Sequence, residues 1–255
     1  MNRARGRALI VGNWKMHKMA GEGRAFAEAL LSRSASLTEA VELVVCPPFT
    51  ALAAVAEVLR EGPIALGAQT MHQGEFGPFT GEISAPMLRE LGVRYVVLGH
   101  SERRAFCGET DSAVNAKVHA ALRFGLVPII AVGETADEHA QGLAHERVRA
   151  QTRAAFAGVG ADAAATCVVA YEPIWAIGSG LVDEPYGAAR TIGGIRAAVP
   201  GLERARVLYG GSMKPANAAA LFAEEPIDGG LVGGASLELE SFIALAAAAR
   251  HRLPL

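Results

Sequence analysis

Short apolar runs recur along the chain, separated by longer segments of mixed apolar and polar residues. Nearly every position in these runs is apolar, which is typical of strands covered on both faces, as in a parallel sheet. The runs read ALIVG from Ala8, VELVVC from Val41, IALGA from Ile64, YVVLG from Tyr95, VPIIAVG from Val127, TCVVAY from Thr166, ARVLYG from Ala205 and GGLVGG from Gly229. This pattern predicts eight parallel strands.

Alanine-rich amphipathic stretches fill the segments between the predicted strands. Examples are GRAFAEALLSRS, ALAAVAEVLREG, DSAVNAKVHAALRFG and HERVRAQTRAAFAGVG, each with one apolar face and a Gly or Ser near its end. Eight strand–helix units account for the chain, and no linker divides it. The sequence therefore predicts an α/β protein with a single-domain (β/α)8 barrel spanning residues 1–255.

A doubly wound sheet is the competing α/β architecture. Its nucleotide-binding form has G-x-G-x-x-G directly after the first strand, where this chain reads VGNWKMHK. The barrel is favoured for that reason, and no cofactor motif is found.

Composition and charge restrict the classes of partner. The chain has 24 basic and 26 acidic residues, and no segment has the Lys/Arg density expected for binding nucleic acid or an anionic membrane. The apolar run at the N-terminus is too short for a signal peptide or a membrane span. These features predict a cytoplasmic protein that binds neither nucleic acid nor membrane.

The cysteines indicate neither a disulfide framework nor a metal site. Cys46, Cys107 and Cys167 are widely spaced, without a C-x-x-C motif, and no His pair has metal-ligand spacing. We therefore predict buried thiols in a reducing compartment and no bound metal.

Polar residues and glycines close several of the predicted strands. In a (β/α)8 barrel the active site lies at the C-terminal ends of the strands, so these closing residues should converge on one mouth. They are Asn13 and Lys15 after the first strand, His100, Ser101 and Glu102 after the fourth, Glu172 after the sixth, Gly210, Gly211 and Ser212 after the seventh, and Gly233 and Gly234 after the eighth.

The fourth strand end combines an imidazole with a predicted helix start. At a helix N-terminus the positive end of the dipole favours a neutral ring, so His100 is predicted to be a neutral hydrogen-bond donor. Glu102 has two open interpretations, a capping carboxylate or a partner for Lys15. The serine-hydrolase pattern G-x-S-x-G fails because Arg103 replaces its second glycine, so Ser101 is predicted to be a helix cap.

The glycines of the last two strand ends favour phosphate binding. Barrels often bind phosphate there through backbone N–H groups, which a side chain would hold away from the anion. A phosphate site beside a carboxylate, a cation and a neutral imidazole suits proton transfer next to a carbonyl. The combination predicts aldose–ketose isomerisation of a small phosphorylated sugar.

The segment PIWAIGSG, which follows Glu172, has the composition of a lid. Its proline and tryptophan make one end stiff, and its glycines make the tip able to bring the N–H of Gly178 onto a phosphate. A closed lid would exclude water and suppress loss of phosphate from the enediolate.

Six motifs in order along nearly the whole chain resemble those of the triosephosphate isomerase family. They are GNWKMHK, GAQTMHQGEFGPFTGE, LGHSERR, AYEPIWAIGSG, LYGGS and DGGLVGGASL. The resemblance implies interconversion of glyceraldehyde 3-phosphate and dihydroxyacetone phosphate, a step of glycolysis and gluconeogenesis, without a cofactor. A glutamate base paired with a neutral histidine electrophile is the established mechanism of this family.

The resemblance also implies a role for each matching residue. Glu172 is the base, His100 the electrophile, Lys15 the electrostatic stabiliser and Glu102 a supporting residue beside Lys15. Asn13 contacts the substrate. The phosphate contacts are Gly178, Ser212, Gly233 and Gly234.

The family is homodimeric, and the loop after its third strand enters the partner's active site. In this chain GEFGPFTGE supplies that loop, with Phe79 and Thr80 at its tip. The resemblance therefore implies a homodimer.

Some positions depart from the usual family pattern. The lid reads Gly-Ser-Gly-Leu through Leu181, GAQN is GAQT at Thr70, NWKMN is NWKMH at His17, and Ala131 replaces the familiar cysteine. Two alternatives therefore stay open. One is an isomerase of a phosphorylated four-carbon ketose that uses the same residues, and the other is a barrel that binds phosphate without catalysis.

Overall fold

The structure, a computed structural model, describes residues 6–177 and 183–250. Its strands form a closed parallel barrel in the order β1-β2-β3-β4-β5-β6-β7-β8. Their bounds are β1 Ala8–Asn13, β2 Val41–Cys46, β3 Ala65–Ala68, β4 Tyr95–Leu98, β5 Val127–Val132, β6 Val168–Tyr171, β7 Arg206–Tyr209 and β8 Gly229–Val232. The predicted (β/α)8 barrel is confirmed, with each strand inside or overlapping its predicted run.

Helices follow the strands and surround the barrel. They are α1 Ala20–Arg33, α2 Ala35–Thr38, α3 Phe49–Leu59, α4 Ala85–Glu90, α5 Ser101–Phe106, α6 Asp111–Arg123, α7 Ala136–Ala140, α8 Ala144–Ala155, α9 Ala161–Thr166, α10 Pro185–Arg196, α11 Pro215–Ala223 and α12 Leu239–Ala249. All four quoted amphipathic stretches coincide with long helices. None of the helices in the described part of the chain combines the length and hydropathy that a membrane crossing requires.

The strands separate two apolar layers, which explains why their runs are continuously apolar. Alternate residues of β1 show the division: Leu9 and Val11 pack inside the barrel, whereas Ile10 packs outward against the helices. Because apolar groups cover both faces of the strands, most strand positions are buried, and the partly exposed ones lie at or near the N-terminal ends of β2, β3, β5 and β7.

The N-terminal end of the barrel is closed by a polar network linking β2, β4 and β7. The hydroxyl of Tyr95 donates to Glu42 Oε1 at 2.6 Å, and Arg206 donates to Glu42 Oε2 at 2.7 Å and to the Tyr95 hydroxyl at 2.9 Å. Burial opposes ionisation of Glu42, but the hydrogen bonds from Tyr95 and Arg206 and the charge of Arg206 together keep the pKa of Glu42 below its usual range. The network ties strands that are not neighbours in the sheet, away from the strand ends where catalytic groups are expected.

The cysteine prediction is correct for two of the three thiols. Cys46 and Cys167 are buried, and burial raises the pKa of each to about 12. Cys107 is exposed, so the prediction for it was wrong. It directly follows α5, where the short helix ends at the surface and offers no second layer to cover the side chain.

Candidate active site

One cavity at the C-terminal ends of the strands gathers most of the predicted site residues. Its volume is about 480 Å³, within the range of small-molecule sites. The predicted residues that line it are Asn13, Lys15, His100, Glu172, Ser212, Gly233 and Gly234. Gly178 lies outside the described residues, as does the rest of the predicted lid tip from residue 179 to residue 182.

Lys15 lies on a left-handed turn that begins where β1 ends. Its φ is 53°, a conformation that is uncommon for a residue with a side chain and is maintained by its surroundings. The Asn13 Oδ1 atom accepts from the Lys15 N–H at 3.1 Å, and Gln69 Nε2 donates to the Lys15 carbonyl at 2.8 Å and to the Cys46 carbonyl at 3.0 Å. These contacts fix the turn that carries the Lys15 ammonium.

Glu102 is the ion-pair partner of Lys15, which decides between its two interpretations. Lys15 Nζ lies 2.6 Å from Glu102 Oε1, and both side chains are partly exposed. The pair holds the ammonium in place, although its exposure to water makes it a modest contributor to stability.

His100, and not Ser101, caps helix α5. The His100 Nδ1 atom accepts from the Glu102 N–H at 3.2 Å, so the prediction that Ser101 is the cap was wrong. Ser101 is the first helical residue, and its backbone N–H donates to Glu172 Oε2 at 2.9 Å. An imidazole at the cap position satisfies the backbone N–H that a serine hydroxyl would otherwise bind.

The cap also fixes the tautomer of His100. Because Nδ1 is an acceptor, a neutral ring has its proton on Nε2, and Nε2 lies 3.1 Å from Glu172 Oε1. The ring is buried and lies at the start of helix α5. The role of His100 as a neutral donor stays a prediction.

Glu172 is a buried carboxylate at the end of β6. Its relative exposure is 2%, and its two oxygens lie near donors from Ser101 and His100. Its backbone N–H donates to the Val132 carbonyl at 2.8 Å, which continues the β5–β6 pairing. The carboxylate therefore accepts from the Ser101 N–H and lies against the His100 ring in a buried position.

The predicted phosphate end of the cavity is built from the turns after β7 and β8. A β-carbon on Gly233 would lie 3.2 Å from Lys15 Cε, so this glycine leaves room for the Lys15 side chain. A short 3-10 helix, Gly234–Ser236, begins beside it. Short helix starts of this kind offer backbone N–H groups to phosphate.

The side chain of Asn217 in α11 forms two hydrogen bonds with the segment that follows β7. Its Nδ2 donates to the Ser212 carbonyl at 3.0 Å, and its Oδ1 accepts from the Lys214 N–H at 2.8 Å. One side-chain amide therefore connects both ends of the segment that presents Ser212 to the cavity.

A buried carboxylate, Glu134, anchors the near end of the predicted lid. Trp175, in the 3-10 turn Ile174–Ala176, donates from Nε1 to Glu134 Oε1 at 2.7 Å, and the Tyr171 hydroxyl donates to the same oxygen at 3.1 Å. Beyond the undescribed segment lies Asp183, which is also buried. Burial and the nearby charge of Glu134 raise the pKa of Asp183 to about 6.

The predicted dimer loop is exposed. Phe79 is 46% exposed and stacks on His72, with ring centroids 4.0 Å apart, and Thr80 is exposed beside it. Phe76, which was not singled out from the sequence, is 82% exposed and is the more prominent apolar group of this loop.

Sequence reasoning missed Gln69, Glu134, Asn217, Asp183 and Lys214. Gln69 directly follows β3, so the rule that selects strand ends would have found it. Glu134 lies two residues after β5, so the same rule would have found it. Lys214 and Asn217 lie at the start of α11, which Pro215 marks in the sequence. Asp183 has no comparable local signal, because its burial depends on distant parts of the chain. Among residues 6–177 and 183–250, no group of three or more His, Cys, Asp and Glu side chains is arranged to hold a metal ion.

Comparisons with known proteins agree with this geometry. A profile of the triosephosphate isomerase family matches residues 8–249. The chain is 49% identical over 247 residues to the triosephosphate isomerase of Symbiobacterium thermophilum, covering 94% of this chain and 96% of that protein. It is 48% identical to that of Chloroflexus aurantiacus, covering 92% and 96%. The crystal structure of triosephosphate isomerase from Bartonella henselae superposes with a TM-score of 0.85 at 34% identity, covering 95% of this chain and 99% of that one.

Proposed function

The chain belongs to the triosephosphate isomerase family and interconverts glyceraldehyde 3-phosphate and dihydroxyacetone phosphate, a step of glycolysis; we propose that Glu172, His100 and Lys15 perform the chemistry. The observation that carries this proposal is the 3.1 Å approach of His100 Nε2 to the buried carboxylate of Glu172, in the same cavity as Lys15. A base, a neutral donor and a cation thus share one small volume.

Glu172 is the proposed base. A proton on the carbon beside the carbonyl is weakly acidic, and the buried carboxylate of Glu172 is a group of this cavity that can accept it. To reach that carbon, the carboxylate must exchange the Ser101 N–H for the substrate. It then returns the proton to the neighbouring carbon. His100 assists the transfer of the hydroxyl proton from one enediolate oxygen to the other, and the two proton transfers together convert aldose to ketose.

His100 and Lys15 are the proposed stabilisers of the enediolate oxygens. A neutral imidazole donates from Nε2 without first having to gain a proton, and each well-placed donor of this kind contributes about 3 kcal/mol to lowering the barrier. Glu102 keeps the Lys15 ammonium in position, and Asn13 supports the Lys15 turn and contacts the substrate.

The phosphate is proposed to bind the backbone N–H groups of Ser212, Gly233 and Gly234. The predicted lid contact, Gly178, lies outside the described residues and stays a prediction. Anchoring of Trp175 by Glu134 supports a stiff near end for the lid. Closure over the phosphate would exclude water and suppress its elimination.

We further propose a cytoplasmic homodimer in which each chain forms one domain. The exposed phenylalanines after β3 support the dimer, because they would otherwise leave apolar surface in water. The tip residues Phe79 and Thr80 are proposed to enter the partner's active site.

Steady-state turnover of triose phosphates and of tetrulose phosphates tests substrate and mechanism together. We expect the triose substrates to react with the higher kcat/KM. Glu172→Asp should lower kcat about 100-fold or more with little change in KM, because it withdraws the carboxylate by about 1 Å. Equal or better turnover of tetruloses would favour the four-carbon alternative. Absence of proton exchange on any sugar phosphate would favour a non-catalytic binding protein.

A further inference from the structure

Lys214 is an exposed residue on the same cavity as the proposed catalytic groups. It comes two residues after Ser212 and directly before Pro215, the first residue of α11. Among the described residues, its ammonium forms no ion pair within 4.0 Å, whereas Lys15 is paired with Glu102. Lys214 therefore has a positive charge available to a ligand.

Without Lys214, the charged groups around the cavity would not attract an anion. Lys15 is matched by Glu102, and Glu172 adds a second carboxylate at the base of the cavity. These groups alone sum to one negative charge, which would oppose entry of a phosphate dianion at long range. The positive charge of Lys214 brings the sum to zero.

The backbone of Lys214 is fixed although its side chain is exposed. Asn217 accepts from the Lys214 N–H at 2.8 Å while donating to the Ser212 carbonyl at 3.0 Å. Pro215 restricts the backbone on the other side. The amide of Asn217 thus couples the position of Lys214 to that of Ser212, whose backbone is the proposed phosphate contact.

We propose that Lys214 is a further substrate-binding residue, that its ammonium attracts and holds the phosphate dianion, and that Asn217 positions it. This inference rests on the proposed binding of phosphate at Ser212, Gly233 and Gly234. The ligand class is a phosphate monoester dianion, and the contribution is to binding and not to proton transfer.

Lys214→Met tests the proposal because it should raise KM and leave kcat almost unchanged. We expect KM for glyceraldehyde 3-phosphate to rise about five- to twenty-fold, and kcat to change less than about two-fold, because a partly screened charge acts on ground and transition states alike. The inhibition constant of inorganic phosphate should rise by a similar factor. Increasing salt should weaken binding less in Lys214→Met than in the parent, and Lys214→Arg should retain most of the affinity.

Arg89→Met is the matched control. It also removes one exposed positive charge, but Arg89 lines a separate cavity beside the N-terminal ends of β3 and β4, so KM should stay at the parent value. Circular dichroism and thermal unfolding should show that both variants are folded.

Gly234→Ala distinguishes two reasons for a negative result with Lys214→Met. Either the Lys214 proposal is wrong, or phosphate does not bind at the proposed site. The added β-carbon has no neighbour within 4 Å, so the fold should be undisturbed, and we expect the methyl group to hinder the approach of an anion to the adjacent backbone N–H groups. If Gly234→Ala weakens phosphate inhibition but Lys214→Met leaves KM and phosphate inhibition within about two-fold of the parent, the Lys214 proposal is wrong and the phosphate site stands. If inorganic phosphate does not compete with substrate in the parent, both assignments are overturned.

Discussion

Asp183 is a buried carboxylate at the far end of the predicted lid. It is 8% exposed, and the charged or titratable groups that act on it are Glu134, His139 and Tyr171. Burial contributes most to raising its pKa from 3.8 to about 6, and the charge of Glu134 adds to the effect; His139, the backbone of Glu184 and Tyr171 oppose it. The ionised form of Asp183 is therefore unfavourable in the folded protein.

Asp183→Asn should stabilise the protein above pH 6 and have little effect near pH 4. Between these values the folded chain binds a proton that the unfolded chain releases, so the stability due to Asp183 falls as pH rises and the full penalty is present above pH 6. At pH 8 we expect a gain on the order of 2 kcal/mol in the free energy of unfolding. Urea unfolding at fixed protein concentration, at pH 4.5 and pH 8, measures it; an equal effect at both pH values would contradict this explanation.

At the scale of elements, the pairing of β6 with β7 controls the position of the proposed base. Tyr171 is in register with Tyr209, and the next residue, Gly210, donates from its N–H to the Tyr171 carbonyl at 2.7 Å. A β-carbon on Gly210 would lie 2.9 Å from Glu172 Cγ and 3.1 Å from that carbonyl. Glycine is needed here because the backbone at the end of β7 lies against the side chain of the proposed base at the end of β6.

Gly210→Ala should therefore lower kcat about 10- to 100-fold by displacing the carboxylate of Glu172, since small misplacements of catalytic groups are costly to rate. The matched control is Gly21→Ala in α1, where the new β-carbon has no neighbour within 4 Å and kcat should be unchanged. Steady-state kinetics of both variants provide the comparison, and parent-like kcat in Gly210→Ala would show that the site tolerates the added methyl group.

At the scale of the whole molecule, exposed apolar groups gather on loops after strands that are close in barrel order. Met16 follows β1, Phe76 and Phe79 follow β3, and Phe106 ends the helix after β4. Single exposed apolar residues are ordinary, but several large ones on adjoining loops are typical of an interface. This face of the barrel is the one we expect a second copy of the chain to cover.

Light scattering at micromolar concentration should give twice the chain mass of 26.5 kDa. Phe76→Asp should shift the mass towards that of one chain and reduce activity, because a buried charge opposes association. Leu143→Asp, on an exposed loop residue before α8, should remain dimeric. A parent mass of one chain would contradict the dimer.

The sequence by itself determined the fold class and the polar residues that close the strands. Apolar runs such as those at Ala8 and Tyr95 report local burial, and barrel geometry then brings their ends together, so Lys15, His100 and Glu172 could be predicted to share one cavity. The family motifs were also visible, because their residues are close in sequence.

Only the tertiary structure decided how the site residues contact one another. It assigned Glu102 to Lys15, made His100 the helix cap in place of Ser101, and placed Asn217 across the Ser212 turn. The first contact joins residues 87 positions apart, and the other two, although local, depend on side-chain directions that the surrounding structure sets. Periodicity and composition indicate which face of a segment is buried. They do not indicate which side chain of another segment that face contacts.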